Sequence, residues 1–200
     1  MSKASPIKLV LASASPRRKA LLGATGLEFE IVESRIDEVR HHGESALDFA
    51  LRMAREKAVS VSLRRPEALV LGADTIVECG GQILGKPADD AAARAMLRTL
   101  SGNTHTVVTA FAISWAGAVA ESAPVVSRVT FRALSADEIA AYVATGDPLD
   151  KAGAYGIQDA GAGFIERVDG ARDNVMGLPM REVMAALRRH GIDVASQASD

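Results

Sequence analysis

The spacing of apolar and polar residues along the chain predicts short strands and helices in alternation. Residues 7–12 form an apolar run typical of a buried strand. A helix over 16–24 follows, because Ser15 can cap it and Pro16 suits its first turn. Apolar and acidic residues then alternate over 27–34, which predicts a strand with one solvated face. The chain therefore opens as strand, helix and strand.

Segments with helical spacing and segments typical of strands continue to alternate through the rest of the chain. Apolar residues recur at helical spacing between Ser45 and Leu63, and the longest β-like run, 67–78, carries Asp74 in its middle. The remaining predicted elements are a helix from Asp89 or Asp90 to about Leu100, strands over 105–117 and 124–134 joined by a longer turn, a helix opening at Ser135, a strand in "FIERV" and a helix in "GLPMREVMAALRRHG".

This order of elements predicts an α/β fold, mixed α+β in detail, with helices packed on a sheet. The sequence shows no internal repeat, no long linker and no low-complexity segment. We therefore expect a single domain over 1–200, with residues 195–200 as a frayed tail.

Composition and charge narrow the classes of function. Hydrophobic residues make up 48% and charged residues 24% of the chain, which is ordinary for a globular protein with a core. The formal net charge of −2 argues against a general nucleic-acid or membrane-surface binder, so anion binding would rest on a few placed cations. With no signal-like start and no long apolar run, a cytoplasmic location is expected.

The segment "SASPRR" at 13–18 places two cations where a strand becomes a helix. Backbone N–H groups at a helix start attract anions, and Ser13, Ser15, Arg17 and Arg18 add hydroxyl and guanidinium donors suited to phosphate oxygens. A capped helix carrying two solvated arginines is the alternative interpretation. The Walker phosphate-binding motif is absent.

Charged residues elsewhere supply further candidates. Asp74 interrupts a strand-like run, which suggests a catalytic base, a metal ligand or a partnered buried carboxylate. Lys57 in "REKA" and Lys86 in "GKP" could each be a solvated lysine or a phosphate ligand, and Glu38 ends the polar segment "IDE". In "DKAGAYGIQ", Gln158 could read the edge of a planar base, or the glycines could simply permit a turn.

Taken together, these segments resemble the Maf family of nucleoside triphosphate pyrophosphatases. The resemblance runs in the family's order over most of residues 9–180, through "LASASPRRKALL", "IDE", "RMAREKA", "LGADTIV", "ILGKP", "LSGNTHTVVTAFAI", "VTFRALSADEIAAYV", "PLDKAGAYGIQ" and "VMGLPM". It implies a Maf- and ITPase-like fold: an elongated mixed sheet with flanking helices, forming two lobes around a cleft. "GADTIV" and "DKAGAYGIQ" resemble the dTTP- and UTP-hydrolysing branch, whereas "GARDNVMGLP" resembles the 7-methyl-GTP branch.

The resemblance also implies roles for individual residues. Hydrolysis would fall between the α- and β-phosphates, with Asp74 as general base and Mg²⁺ or Mn²⁺ bound through Glu38 and Asp74. The implied catalytic residues are Asp74, Glu38, Lys57 and Lys86, and the implied substrate-binding residues are Ser13, Arg17, Arg18, Thr75 and Gln158.

Two other functions remain open from the sequence. One is a 7-methyl-GTP pyrophosphatase of the same family. The other is a nucleotide-binding regulator of cell division without turnover, although such a binder has no need of a carboxylate base. The family resemblance further implies a homodimer with a nucleotide-pool housekeeping role. The charge balance predicts that there is no nucleic-acid or membrane partner.

Overall fold

The apolar runs of the chain pair into a mixed β-sheet. The computed structural model describes residues 7–158 and 160–192, and the predicted tail at 195–200 lies outside these. Within the described residues the strands are β1 Lys8–Leu11, β2 Glu30–Ile31, β3 Ala68–Cys79, β4 Gln82–Leu84, β5 Thr104–Trp115, β6 Ala118–Phe131 and β7 Ile165–Asp169. They lie in the order β2-β1-β3-β5-β6-β7, with β4 paired to β3. Strand β1 is parallel to β2 and β3, and the other pairs are antiparallel.

Helices flank the sheet, so the predicted mixed α/β fold is confirmed. They are α1 Pro16–Gly23, α2 Ala46–Ser62, α3 Asp90–Leu100, α4 Ala136–Val143, α5 Arg172–Met176 and α6 Met180–Arg189, with 3₁₀ turns at Asp147–Asp150, Ala152–Ala154 and Ala160–Phe164. Side chains cap α1 to α4 by accepting a hydrogen bond from a first-turn amide, at Ser15, Ser45, Asp89 and Ser135. No helix in the described ranges is long and apolar enough to cross a membrane.

Two predicted boundaries were wrong, and two short elements were not predicted. The strand expected over 27–34 has two residues, because β2 meets β1 only at Val10 and Leu11. The longer turn expected before residue 124 is a tight hairpin: Ala116 and Gly117 both have positive φ, of 46° and 83°, so β6 already begins at Ala118. Strand β4 and helix α5 were not predicted, since three and five residues are too few to display a period.

Within the part of the chain that the structure describes, the core consists of three clusters of buried apolar side chains. One lies between α2 and one face of the sheet, a second packs α1 and α6 on the opposite face, and the third surrounds α3 and α4. Helix α2 approaches β3 very closely at Gly72, where an added Cβ would stand 2.5 Å from the Ala54 carbonyl oxygen. This glycine allows the backbone of α2 to lie against the middle of β3.

A gap along one edge of β3 creates a cleft. Strand β1 pairs with β3 only as far as Leu71, and β4 pairs with it only from Val77 onward. Among the described residues, Gly72–Ile76 therefore have no strand partner on that edge, while β5 pairs with them on the other. The cleft opens beyond the carboxyl end of the parallel strand β1, the usual position of ligands in α/β sheets.

Candidate active site

A cavity of about 400 Å³ lies along the gap in β3. Its lining includes every site residue that the sequence suggested, drawn from segments far apart in the chain: Ser13, Arg17, Arg18, Glu38, Lys57, Asp74, Thr75, Lys86 and Gln158. Adjacent residues of a strand point to opposite faces of a sheet. Because the edge is open, Asp74 from one face and Thr75 from the other can both reach the same cavity.

A buried lysine bridges two carboxylates at the base of the cavity. The Lys57 ammonium lies 2.6 Å from Asp74 Oδ1 and 2.6 Å from Glu38 Oε1. Lys57 and Asp74 are buried, whereas half of the Glu38 side chain is exposed. Lys57 reaches Asp74 because α2 packs closely on β3 at Gly72. The pairing leaves Asp74 Oδ2 without a hydrogen-bond donor in the described part of the chain, so this oxygen is available to a ligand or a water molecule.

The two carboxyl groups respond to this environment in opposite directions. Burial raises the pKa of Asp74 above its usual range, even though the charges of Lys57 and Arg18 act to lower it. Burial also acts to raise the pKa of Glu38, but its bond to Lys57 and the charges of Lys57, Lys86 and Arg18 together lower that pKa. Asp74 is thus the stronger base of the pair.

The start of α1 forms the cationic wall of the cavity. Ser15 caps the helix by accepting a hydrogen bond from the Arg18 amide, and Ser13 Oγ accepts one from the Ser15 amide at 3.2 Å. The Arg17 guanidinium lies 3.0 Å from Asp150 Oδ2, across the cleft. This ion pair joins the strand-to-helix turn to the first residue of "DKAGAYGIQ".

Arg18 is held more firmly than Arg17. Its Nε donates to the Gly177 carbonyl at 2.8 Å, and its terminal nitrogens donate to Thr75 Oγ1 at 3.0 Å and Ser13 Oγ at 3.4 Å. Burial lowers the pKa of Arg18, while Asp74 and Glu38 oppose that change, and a guanidinium stays charged. The guanidinium uses its Nε–H and one N–H on each terminal nitrogen, which leaves one N–H on each terminal nitrogen for a ligand.

The opposite wall is the segment "DKAGAYGIQ", fixed by buried contacts. Tyr155 Oη lies 2.7 Å from His105 Nε2, and the Gly156 amide donates to the Tyr142 hydroxyl. Burial lowers the pKa of His105 to about 4, so this imidazole is neutral at ordinary pH. The contacts hold the backbone that leads to Gln158, whose exposed amide lies at the rim of the cavity.

The turn carrying Lys86 belongs to the same wall. The Gly153 amide donates to the Gly85 carbonyl at 3.1 Å, which ties this turn to "DKAGAYGIQ". Gly153 has a φ of 71° and packs on Val77, where an added Cβ would be 3.0 Å from a Val77 methyl group. Lys86 itself is exposed and faces the cavity.

Sequence analysis missed several residues that support the site. Thr109, on β5, lies behind Thr75, and the Asn174 carbonyl accepts a hydrogen bond from Thr109. Gly177 lines the cavity, and its carbonyl accepts a hydrogen bond from Arg18. Asp150, the first residue of "DKAGAYGIQ", was not predicted as the partner of Arg17. A threonine within the apolar run "VVTAFAI" was the available signal for Thr109.

The donor set is compatible with a divalent cation. Among the described residues there is no group of three His, Cys, Asp or Glu side chains that could hold a metal alone. Glu38 and Asp74 share Lys57 through one oxygen each. Mg²⁺ is commonly bound through one or two carboxylates together with substrate phosphates, which matches this pair.

The fold and the cavity define an α/β protein whose cleft suits a polyanionic small molecule. The chain belongs to the Maf family: the family profile described as "Maf-like protein" matches residues 8–190. The resemblance found in the sequence is therefore confirmed.

Related sequences align with this chain over nearly its whole length. The dTTP/UTP pyrophosphatase of Geobacter sulfurreducens is 50% identical over 92% of this chain and 97% of its own length. The dTTP/UTP pyrophosphatase of Moorella thermoacetica is 52% identical over 94% of this chain and 97% of its own length. Among solved structures, a HAM1 protein from Coxiella burnetii aligns with a TM-score of 0.48 at 13% identity, covering 92% of this chain and 99% of that one.

Proposed function

We propose that this protein hydrolyses dTTP and UTP to the nucleoside monophosphate and pyrophosphate. The observation that carries the proposal is the convergence of Arg17, Arg18, Lys57 and Lys86 with the buried carboxylate Asp74 around one cavity. Relatives about half identical to the chain and named dTTP/UTP pyrophosphatase support the same substrates. The cytoplasmic location and the homodimer stay predictions.

The cations would serve the triphosphate. Charge builds up on phosphoryl oxygens as the anhydride breaks, and fixed cations stabilise that charge in a site shielded from water. Arg17 and Arg18, at the start of α1, would hold the phosphates together with the helix amides. Lys57 and Lys86 would contact the phosphates from the other side of the cavity.

Asp74 would act as the general base. Its Oδ1 is engaged by Lys57, and Oδ2 would accept the proton of the attacking water as the oxygen of that water bonds to phosphorus and the anhydride P–O bond breaks. Burial raises the pKa of Asp74, which makes its carboxylate a better proton acceptor. Lys57 orients the carboxylate and keeps it ionised.

Glu38 and Asp74 would hold a divalent cation, Mg²⁺ or Mn²⁺, together with the phosphates. When bound, this ion would neutralise charge on the phosphate oxygens. The lowered pKa of Glu38 keeps it an anionic ligand across the neutral range.

Gln158 would recognise the pyrimidine. Its amide can both donate and accept, as the O4 and N3 edge of uracil or thymine requires. We expect Gln158→Ala to lower kcat/KM for UTP and dTTP about tenfold, in keeping with the loss of one or two hydrogen bonds of about 0.5–1.5 kcal/mol each. Gln82→Ala, at an exposed position of β4 that does not line the cavity, is the matched control. Equal losses on every nucleoside triphosphate would assign Gln158 a structural role instead.

The function is tested by following pyrophosphate release from dTTP, UTP, CTP and 7-methyl-GTP, with Mg²⁺ and with a chelator. We expect dTTP and UTP to be the best substrates, monophosphate and pyrophosphate to form in equal amounts, and the chelator to abolish both. Preference for 7-methyl-GTP would move the protein to the other branch of the family. Nucleotide binding without pyrophosphate release in saturating Mg²⁺ would favour the regulator.

A further inference from the structure

A chain of hydrogen bonds runs behind the cavity wall and ends at Arg18. Arg18 donates to Thr75 Oγ1 at 3.0 Å, Thr75 Oγ1 lies 3.0 Å from Thr109 Oγ1, and Thr109 donates to the Asn174 carbonyl at 2.8 Å. Thr109 and Asn174 are fully buried. Neither residue lines the cavity.

The donor and the acceptor can be assigned for each hydrogen bond in this series. A threonine hydroxyl has one proton, and Thr109 gives it to the Asn174 carbonyl. The hydrogen bond between the two threonines must therefore be donated by Thr75. Arg18 is purely a donor, so Thr75 accepts from it. Thr75 consequently has no proton left for a ligand and offers it a single lone pair.

The far end of the chain is anchored to the sheet. Asn174 Nδ2 donates to Ser127 Oγ at 2.9 Å and to the Val107 carbonyl at 3.3 Å. Ser127 in turn donates to the Ala171 carbonyl at 3.1 Å. These contacts fix helix α5 against β5 and β6, and with it the carbonyl that Thr109 uses.

The same segment supplies a second contact to Arg18. The Gly177 amide donates to the Asn174 carbonyl at 3.0 Å, and the Gly177 carbonyl accepts from Arg18 Nε at 2.8 Å. Gly177 has a φ of 110°, and a Cβ there would lie 3.2 Å from Thr75 Oγ1. Because Gly177 has no side chain, there is room for the hydrogen bond between Thr75 and Arg18.

We propose that Thr109 and Asn174 are positioning residues, which orient Arg18 and Thr75 toward the triphosphate without touching it. This inference rests on the proposed function, because it assigns Arg18 to the substrate. Two donors on a fixed guanidinium can hold two phosphate oxygens in one geometry. Without this series of hydrogen bonds, the charge of Arg18 remains in the cavity, but the guanidinium loses its fixed orientation.

The test compares two substitutions at Thr109. Thr109→Val keeps the shape of the side chain and removes the hydroxyl, whereas Thr109→Ser keeps the hydroxyl and removes a methyl group. We expect Thr109→Val to lower kcat at least about tenfold with KM changed less than about threefold, because misorientation affects the reacting geometry more than charge attraction. Thr109→Ser should stay within about threefold of the parent in both constants.

A role in packing alone predicts the reverse order, since valine fills the space and serine leaves a gap. Thr109→Val at parental kcat, or Thr109→Ser as the worse variant, would overturn the inference. If Thr109→Val does not fold, Thr109→Ala is compared with Thr109→Ser, since these two variants both lack the methyl group and differ only in the hydroxyl that bonds to the Asn174 carbonyl. The same loss of kcat is then expected of Thr109→Ala relative to Thr109→Ser, and equal kcat in the two would overturn the inference.

The parent protein is assayed first, which separates this inference from the proposed function. No pyrophosphate from any nucleotide would contradict the proposed function itself. An active parent with an equally active Thr109→Val would contradict the positioning role alone.

Discussion

Replacing Asp74 by asparagine should abolish most of the turnover while leaving the fold intact. Asparagine has the shape of aspartate and can still accept a hydrogen bond from Lys57, but it cannot take a proton from water at neutral pH. Lys57 keeps its second partner, Glu38, so no unpaired ammonium is left buried. We expect kcat to fall about 10²–10⁴-fold, the usual contribution of a general base.

The measurement is pyrophosphate release at saturating dTTP, with thermal unfolding followed in parallel. Asp90→Asn, an exposed residue of α3 away from the cavity, is the matched control and should leave kcat unchanged. A folded Asp74→Asn protein with parental kcat would remove Asp74 from the mechanism.

Lys57→Met is expected to have the second large effect, and this effect depends on pH. The methionine keeps the aliphatic stem but leaves Asp74 and Glu38 without the ammonium that lies 2.6 Å from each of them. Breaking a buried ion pair typically costs about 3–5 kcal/mol of stability. We also expect kcat at neutral pH to fall at least about 10²-fold, since both a phosphate ligand and the partner of the base are lost.

The sign of the pH effect follows from the position of Lys57. Burial already raises the pKa of Asp74, and Lys57 is the leading charge that acts to lower it. Without Lys57 the pKa of Asp74 rises further, so the ionised base forms only at higher pH. The acid limb of the kcat profile should therefore move to higher pH, with partial recovery of activity in alkaline buffer.

Lys19→Met, on the exposed face of α1, is the control for loss of a lysine. A Lys57→Met protein whose acid limb stays in place would show that Lys57 does not act on Asp74. The shift in profile separates an electrostatic role from general damage, because instability lowers activity without moving a titration.

Local patterns in the sequence predicted most elements of the fold. The helix starts at Ser15, Ser45, Asp89 and Ser135 are capped as expected, because a cap depends on residues within one turn. The predicted extent of β2 was wrong, since an alternating pattern does not specify how many of its residues will pair with a neighbouring strand. The tight hairpin at Ala116 was missed because alanine is rare at positive φ.

The candidate site was predicted residue by residue through the family motifs, whereas its internal contacts were not. From the residues alone, Lys57 and Lys86 were no different from solvated lysines. Nothing in the sequence paired Lys57 with Asp74, or gave Arg18 its partners Thr75 and Gly177.

The sequence by itself determined most of the strands and helices, which residue types could bind phosphate and to which family the chain belongs. Only the tertiary structure decided that the gap between β1 and β4 opens a cleft on β3, and that Thr109 and Asn174 stand behind its wall. The physical reason is the distance along the sequence between the residues that interact. Periodicity and capping come from neighbours a few residues apart, while strand pairing and buried hydrogen bonds join residues distant in the chain, whose meeting depends on the packing of the whole fold.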